Sequence, residues 1–179
     1  TLASHVRQHG ALTTSDALGL FRALASALAA LSEASLVHRD VKPANIVLQR
    51  ANPSDPVLVD FGLAKRSQDR SVTAKNTFIG TIGYMAPEIF LGTEANSRSD
   101  LFSLGLVLRY ALCGEELYPH LQGVALMLRM ARGGIPIPAC EAPWIEDLLG
   151  SLLEGDPSRR PDSPQAVVDL LAEAGIACS

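Results

Sequence analysis

The side chains with chemistry to offer crowd into residues 38 to 88. His38-Arg39-Asp40-Val41-Lys42-Pro43-Ala44-Asn45 comes first and Asp60-Phe61-Gly62 second. Gly80-Thr81-Ile82-Gly83-Tyr84-Met85-Ala86-Pro87-Glu88 comes last. Asp40 is a carboxylate able to orient a hydroxyl and take its proton. The Asn45 amide oxygen and the Asp60 carboxylate are hard donors of the kind Mg2+ accepts when other oxygens complete its shell. The three cysteines, Cys113, Cys140 and Cys178, are far apart and form no CxxC and no Cys/His pair at metal spacing. They read as reduced thiols rather than a disulfide frame or a zinc site.

The three runs, in this order, resemble the signature set of the eukaryotic-type (Hanks-type) Ser/Thr protein kinases, of a bacterial kind. About ten motif residues match in sequence order, too many for chance at roughly one in twenty per position. The resemblance covers essentially the whole chain. It implies one domain over residues 1–179, the C-terminal lobe of such a kinase: mainly α, with short β pieces around the catalytic and DFG loops. The glycine-rich loop, the strand lysine and the αC glutamate of the family have no counterpart in these residues. The resemblance therefore implies an N-terminal kinase lobe as a partner, and little activity for the 179 residues alone.

The residue roles implied by the family follow from what phosphoryl transfer needs. Asp40 would be the base, and Asn45 and Asp60 the ligands of Mg2+, with Mn2+ as the alternative metal. Lys42 would contact the γ-phosphate of ATP, and Thr81 would bond near Asp40. Leu2 and Val47 would line the adenine site. Lys42 and Thr81 together point to Ser and Thr hydroxyls of proteins rather than Tyr. His38 would be structural, packed under Phe61, and not a base. Asp100 would accept backbone N–H bonds from the turn at residues 38–40, and Glu88 would pair with Arg160 in the interior. Phe102 stands where Trp or Tyr is commoner.

Regulation has its own residues. Arg39 directly precedes the catalytic Asp, Lys65 lies five past Asp60, and Thr77 lies three before Gly80. By resemblance these are two cations and an activation-loop threonine, phosphorylated in a trans-autophosphorylation dimer. Ala44 and Thr1 occupy places where kinases selecting an upstream arginine often carry acids, so weak selection for basic substrates is expected, with Glu115 and Glu116 as the remaining carboxylates able to recruit one. The rival readings are a pseudokinase or scaffold, which the intact Asp40, Lys42, Asn45 and Asp60 oppose, and a small-molecule phosphotransferase, which the Gly80–Glu88 segment opposes.

These residues need a scaffold, and the rest of the chain reads as helices. Thr13 caps a helix over 13–32, with Phe21, Leu24, Leu28 and Leu31 as one stripe. Short strands are expected at Leu36-Val37, Ile46–Leu48 and Val57–Val59, with a turn at 52–56 between the last two and a polar loop at 65–77. Ser97 is expected to cap a helix from Arg98 to about Leu112, closed by Gly114. Further helices follow from Val124 to Met130, from Pro143 to Leu153 and from Ser163 to Gly175. In the last, Ala166, Val167, Leu170, Leu171 and Ala174 form the expected buried face.

Composition sets the outer bounds. The chain has 179 residues, of which 47% are hydrophobic, and its net charge is −4. That suffices for a core and argues against disorder. A weakly acidic chain lacks the clustered cations that nucleic acid needs. No uncharged apolar run reaches the roughly 18 residues of a membrane span, so no membrane segment is expected in these residues. A cytoplasmic site is expected, with any anchor lying outside this segment.

Overall fold

The computed structural model describes residues 1–60 and 82–175. Phe61, Lys65, Thr77 and Thr81 lie outside the described residues. The elements are α1 (Leu2–His9), α2 (Thr14–Glu33), β1 (Ile46–Leu48), β2 (Pro56–Leu58), α3 (Pro87–Phe90), α4 (Ser97–Cys113), α5 (Gly123–Ala131), α6 (Pro143–Leu152) and α7 (Pro164–Glu173).

Helix α4 is the axis of the packing. Every residue from Ser99 to Ala111 is buried, including Asp100, Ser103 and Arg109. A helix buried on all faces needs neighbours all round, and α2, α6 and α7 supply them. Gly105 lets α6 come close: a Cβ there would stand 2.9 Å from Leu152 Cβ. The buried Arg109 is satisfied by carbonyls, donating to Pro136 O at 3.1 Å and Glu115 O at 3.4 Å. Gly114 ends the helix in the left-handed region, φ 73°. A Cβ there would also meet the Ala11 backbone N at 2.9 Å.

The cap differs from the expected one. Asn96, not Ser97, is the N-cap. Its side chain accepts from the Arg98 and Ser99 N–H groups, and Ser99 Oγ accepts from the Asn96 N–H. Ser97 is the first helical residue, so Asp100 falls outside the capping box and is free for another use. The long α2 begins as expected, with the Thr13 hydroxyl accepting from the Asp16 N–H at 3.1 Å. Phe21, Leu24 and Leu28 are buried on it. By length and composition alone α2 could cross a membrane, at mean hydropathy 1.2 over 18 residues. Its apolar face is instead packed on α4 and α7, as a core helix.

The strands form one antiparallel pair, with Ile46 opposite Leu58, Val47 opposite Val57 and Leu48 opposite Pro56. Ile46 and Leu48 point inward, while Val47 is 37% exposed and its partner Val57 38%. Leu36-Val37 is not a strand; the chain there has no ladder partner among the described residues. Two short helices, α1 and α3, were not expected. In α1 only Leu2 and Val6 are buried, too few apolar positions to announce a helix. In α7 the buried residues are Pro164, Val167 and Leu171, whereas Leu170 is 50% exposed and Ala174 is exposed. Ala166, Leu170 and Ala174 share one side of the helix, so the expected face was drawn too wide on that side.

Candidate active site

The turn carrying Asp40 is clamped from below by helix α4. Asp100 Oδ2 accepts from the His38 N–H at 2.8 Å, and Oδ1 accepts from the Arg39 N–H at 2.9 Å. Arg39 has φ 71°, a left-handed conformation uncommon for a residue with a side chain. Two charge-assisted bonds to one buried carboxylate hold it there. Burial pushes the Asp100 carboxyl up to about 6, against the opposing pull of the His38 and Arg39 N–H groups.

His38 fastens the turn sideways. The Asp40 N–H donates to Nδ1 at 3.3 Å, which places the ring proton on Nε2, and Nε2–H donates to the Val59 carbonyl at 3.2 Å. The ring is 1% exposed, and burial lowers its pKa, outweighing the backbone bond to Val59. A neutral, enclosed imidazole has no access to a substrate. It joins the Asp40 turn to the residue after β2, one residue before Asp60.

Asp40, Lys42 and Asn45 form one network. Asp40 Oδ2 accepts from Lys42 Nζ at 2.8 Å and from Asn45 Nδ2 at 2.8 Å, and Nδ2 also donates to the Asp40 carbonyl at 2.9 Å. With its amide N–H2 committed to Asp40, Asn45 keeps Oδ1 as its remaining acceptor. The 3-10 turn Pro43–Asn45 delivers it directly into β1. The Val59 N–H donates to the Asn45 carbonyl at 2.9 Å, which extends the ladder and sets Asp60 just past Asn45 on the neighbouring strand. Asp60 is exposed and has φ 64°, a second left-handed non-glycine at the same end of the ribbon. Such strain persists where the surroundings impose it, often at functional sites. An amide oxygen and a carboxylate at one ribbon end fit Mg2+, which takes one or two protein ligands. Among the described residues there is no group of three His, Cys, Asp or Glu able to hold a metal alone.

Val47 shows its side chain on the exposed face of the ribbon. Leu2 does not: it is 0% exposed, inside the core where α1 packs on β1 and on the 43–45 turn. As placed, Leu2 supports the ribbon from within and presents no face to a ligand, because it shares with Val6 the buried face by which α1 packs on that ribbon.

Glu88 and Arg160 meet 72 residues apart in sequence. Arg160 Nη1 donates to Oε1 at 2.7 Å and Nη2 to Oε2 at 2.8 Å. The Ser99 hydroxyl adds a bond to Oε1 at 3.0 Å. Arg160 also donates to the carbonyls of Glu154, Arg98 and Gly155, and its guanidinium lies 4.7 Å over the Phe102 ring. Burial alone would raise the Glu88 carboxyl; the Arg160 bonds and charge overcome it and hold it below the usual range. Arg39 is the more exposed cation, with Glu94 Oε1 at 4.0 Å.

The model of the protein kinase domain matches residues 1–170. The chain belongs to the protein kinase family. It is similar to the serine/threonine-protein kinase PknH of Mycobacterium tuberculosis, 34% identical over 173 residues that make up 97% of this chain and 27% of that protein. To PknE of the same organism it is 33% identical over 161 residues, 90% of this chain and 28% of the relative. To PknD it is 39% identical over 118 residues, 66% of this chain and 18% of the relative. The chain thus spans under a third of the length of these relatives.

One contact was not legible in the sequence. The Tyr84 hydroxyl donates to Glu116 Oε2 at 2.8 Å, joining the last motif to the loop after α4. Glu116 stood out only as a free carboxylate.

Two expected outcomes follow from the buried charges. Removing one partner of a bidentate buried pair should cost about 3–5 kcal/mol. Arg160→Ala should cost more than Glu88→Ala, since it also strands three carbonyls, and a double-mutant cycle by urea denaturation should show strong coupling; additive losses would deny the contact. For Asp100, the folded pKa of about 6 lies above the ordinary 3.8, so its contribution to stability is complete below the lower value and is lost as pH rises through the upper one. The unfolding free energy of wild type relative to Asp100→Asn should therefore fall between pH 3.8 and about 6 and be level above. A flat difference across that window would contradict the burial argument.

Proposed function

We propose that this chain is the large lobe of a Ser/Thr protein kinase that moves the γ-phosphate of ATP to Ser or Thr hydroxyls of proteins. The observation that carries the reading is the Asp40 carboxylate, bonded to Lys42 and Asn45 on a turn that Asp100 holds in a left-handed conformation. A base must be fixed where the nucleophile arrives, and the bonds that the Asp100 and Asp40 carboxylates accept, from the His38 and Arg39 N–H groups and from Lys42 and the Asn45 amide, are charge-assisted. Lys42 balances the Asp40 charge and stands beside the reacting centre. Asn45 Oδ1 and Asp60 are the residues that would hold Mg2+, and Val47 is the side chain that would meet the adenine. Mg-ATP when bound supplies the phosphoryl group and neutralises the charge developing on it. The N-terminal kinase lobe would complete the nucleotide site, and the cytoplasm is the compartment that supplies ATP to it.

The same reading includes a switch. Phosphate on Thr77 would bring about −1.5 to −2 charge and three acceptor oxygens. Arg39 can take two of them in a fork and Lys65 can approach as a point charge. Arg39 adjoins Asp40, so a phosphate gripped there would steady the catalytic turn. Thr81 belongs to this proposal as the hydroxyl that would bond near Asp40.

In the full-length kinase, Asp40→Asn should lower phosphotransfer by about 10²–10⁴-fold with nucleotide affinity near wild type. Asp60→Ala should instead raise the Mg2+ concentration needed for half-maximal activity. Wild-type turnover of Asp40→Asn with labelled ATP would sink the assignment. For the switch, Thr77→Ala and Arg39→Ala should each reduce activity, with no further loss in the double variant. Phosphosite mapping that finds Thr77 unmodified in fully active enzyme would remove it.

A further inference from the structure

We propose that Glu116 is a positioning residue for the protein-substrate side of the site, acting through Tyr84, and not a recruiter of basic substrate side chains. The inference rests on the kinase reading above and assigns it a residue outside the signature runs. The 3-10 turn Ile82–Tyr84 is held at two points by polar bonds. At one, the Ser103 hydroxyl of α4 donates to the Tyr84 carbonyl at 2.7 Å. At the other, the Tyr84 phenol donates to Glu116 Oε2 at 2.8 Å. Tyr84 is 8% exposed, and with Arg39, Asp40, Val41, Met85 and Ser103 it lines one small depression. The wall of that depression is therefore set in part by where Tyr84 sits, and Asp40 lines the same depression.

The chemistry of the link favours tethering over recruitment. One Glu116 oxygen is already committed to a buried phenol. That phenol is pushed above its ordinary value, first by burial and then by the Glu116 charge, so it stays protonated and keeps donating. Removing the carboxylate leaves an enclosed hydroxyl without its acceptor, which costs more than the bond itself. The loop after α4 is anchored on the other side by Arg109, whose guanidinium donates to the Glu115 carbonyl, so Glu116 is presented from a fixed backbone. The groups expected to meet nucleotide and metal, Val47, Asn45 and Asp60, stand on the β1–β2 ribbon and its ends, and Glu116 bonds to none of them. Loss of the tether should thus be felt by the protein substrate and not by ATP.

The test is a steady-state comparison in the full-length kinase, with a Thr-containing peptide library as acceptor and, separately, ATP as the varied substrate. Glu116→Ala should lower kcat/KM for peptide by about tenfold and leave the KM for ATP within about twofold. Tyr84→Phe should do the same, the double variant should be no worse than either, and Glu116→Gln, which keeps an acceptor oxygen, should recover most of the loss. An unchanged Glu116→Ala, an equal rise in the KM for ATP, or additive losses would overturn the proposal. So would a selective loss of Arg-containing peptides, which would make Glu116 a recruiter. If wild-type enzyme phosphorylates no Ser or Thr acceptor, the kinase reading fails first. The link itself is then read by a double-mutant cycle of unfolding free energy, independent of activity: Glu116→Ala and Tyr84→Phe should be non-additive, and additive losses of stability would refute the tether on their own.

Discussion

The site depends on one carboxylate. Asp100 receives two backbone N–H groups from residues 61 and 62 positions earlier in the chain, and these are the donors that a left-handed Arg39 would otherwise leave buried and unpaired. The arrangement works only because α4 is enclosed on all sides, which fixes Asp100 to the core's own rigidity. Everything facing the reacting centre is then located relative to α4: the Asp40 turn through Asp100, the Tyr84 turn through Ser103, and Glu88 through Ser99. Three polar residues within the first two turns of one helix thus register three separate segments.

The enclosed charges are not there for stability alone. Replacing a buried ion pair with apolar groups is often neutral or better, so the Glu88–Arg160 pair is better understood as a registration device. It fastens the segment that follows the described gap to the 3-10 turn at Pro157–Arg159, with Phe102 beneath the guanidinium. The two buried acids also respond oppositely to pH. Glu88 is held ionised by its cation, whereas Asp100, paired only with neutral donors, is pushed toward the neutral form.

Much of this was legible from residue types at short range. Thr13 as a cap, Gly114 as a left-handed stop, Ser163-Pro164 as a helix start and the short apolar run Ile46–Leu48 are local rules, satisfied by neighbours in sequence. The errors are also local rules, overridden by packing. Ser97 looked like the cap, but Asn96 has both the side-chain reach and a partner in Ser99. Leu36-Val37 has the apolar content of a strand but no ladder partner among the described residues. Leu170 fits a helical stripe, yet the stripe on a short helix packed on α2 is narrow, and the groove it flanks with Trp144 is open.

The sequence by itself determined the family, the grouping of Asp40, Lys42 and Asn45 on one turn, the proposal of Asn45 and Asp60 as oxygen ligands, and the partners Glu88 and Arg160. Their types and spacing carry that chemistry wherever the backbone runs. Tertiary structure alone decided that Leu2 faces the core and not a ligand, that His38 is a neutral bridge to Val59, and that Glu116 holds Tyr84. Each of those outcomes depends on the rotation and approach of an element relative to α4, and a one-dimensional pattern records neither. A helix turn of one residue swings a side chain by about 100°, enough to turn a surface leucine into a buried one or a recruiting carboxylate into a tether.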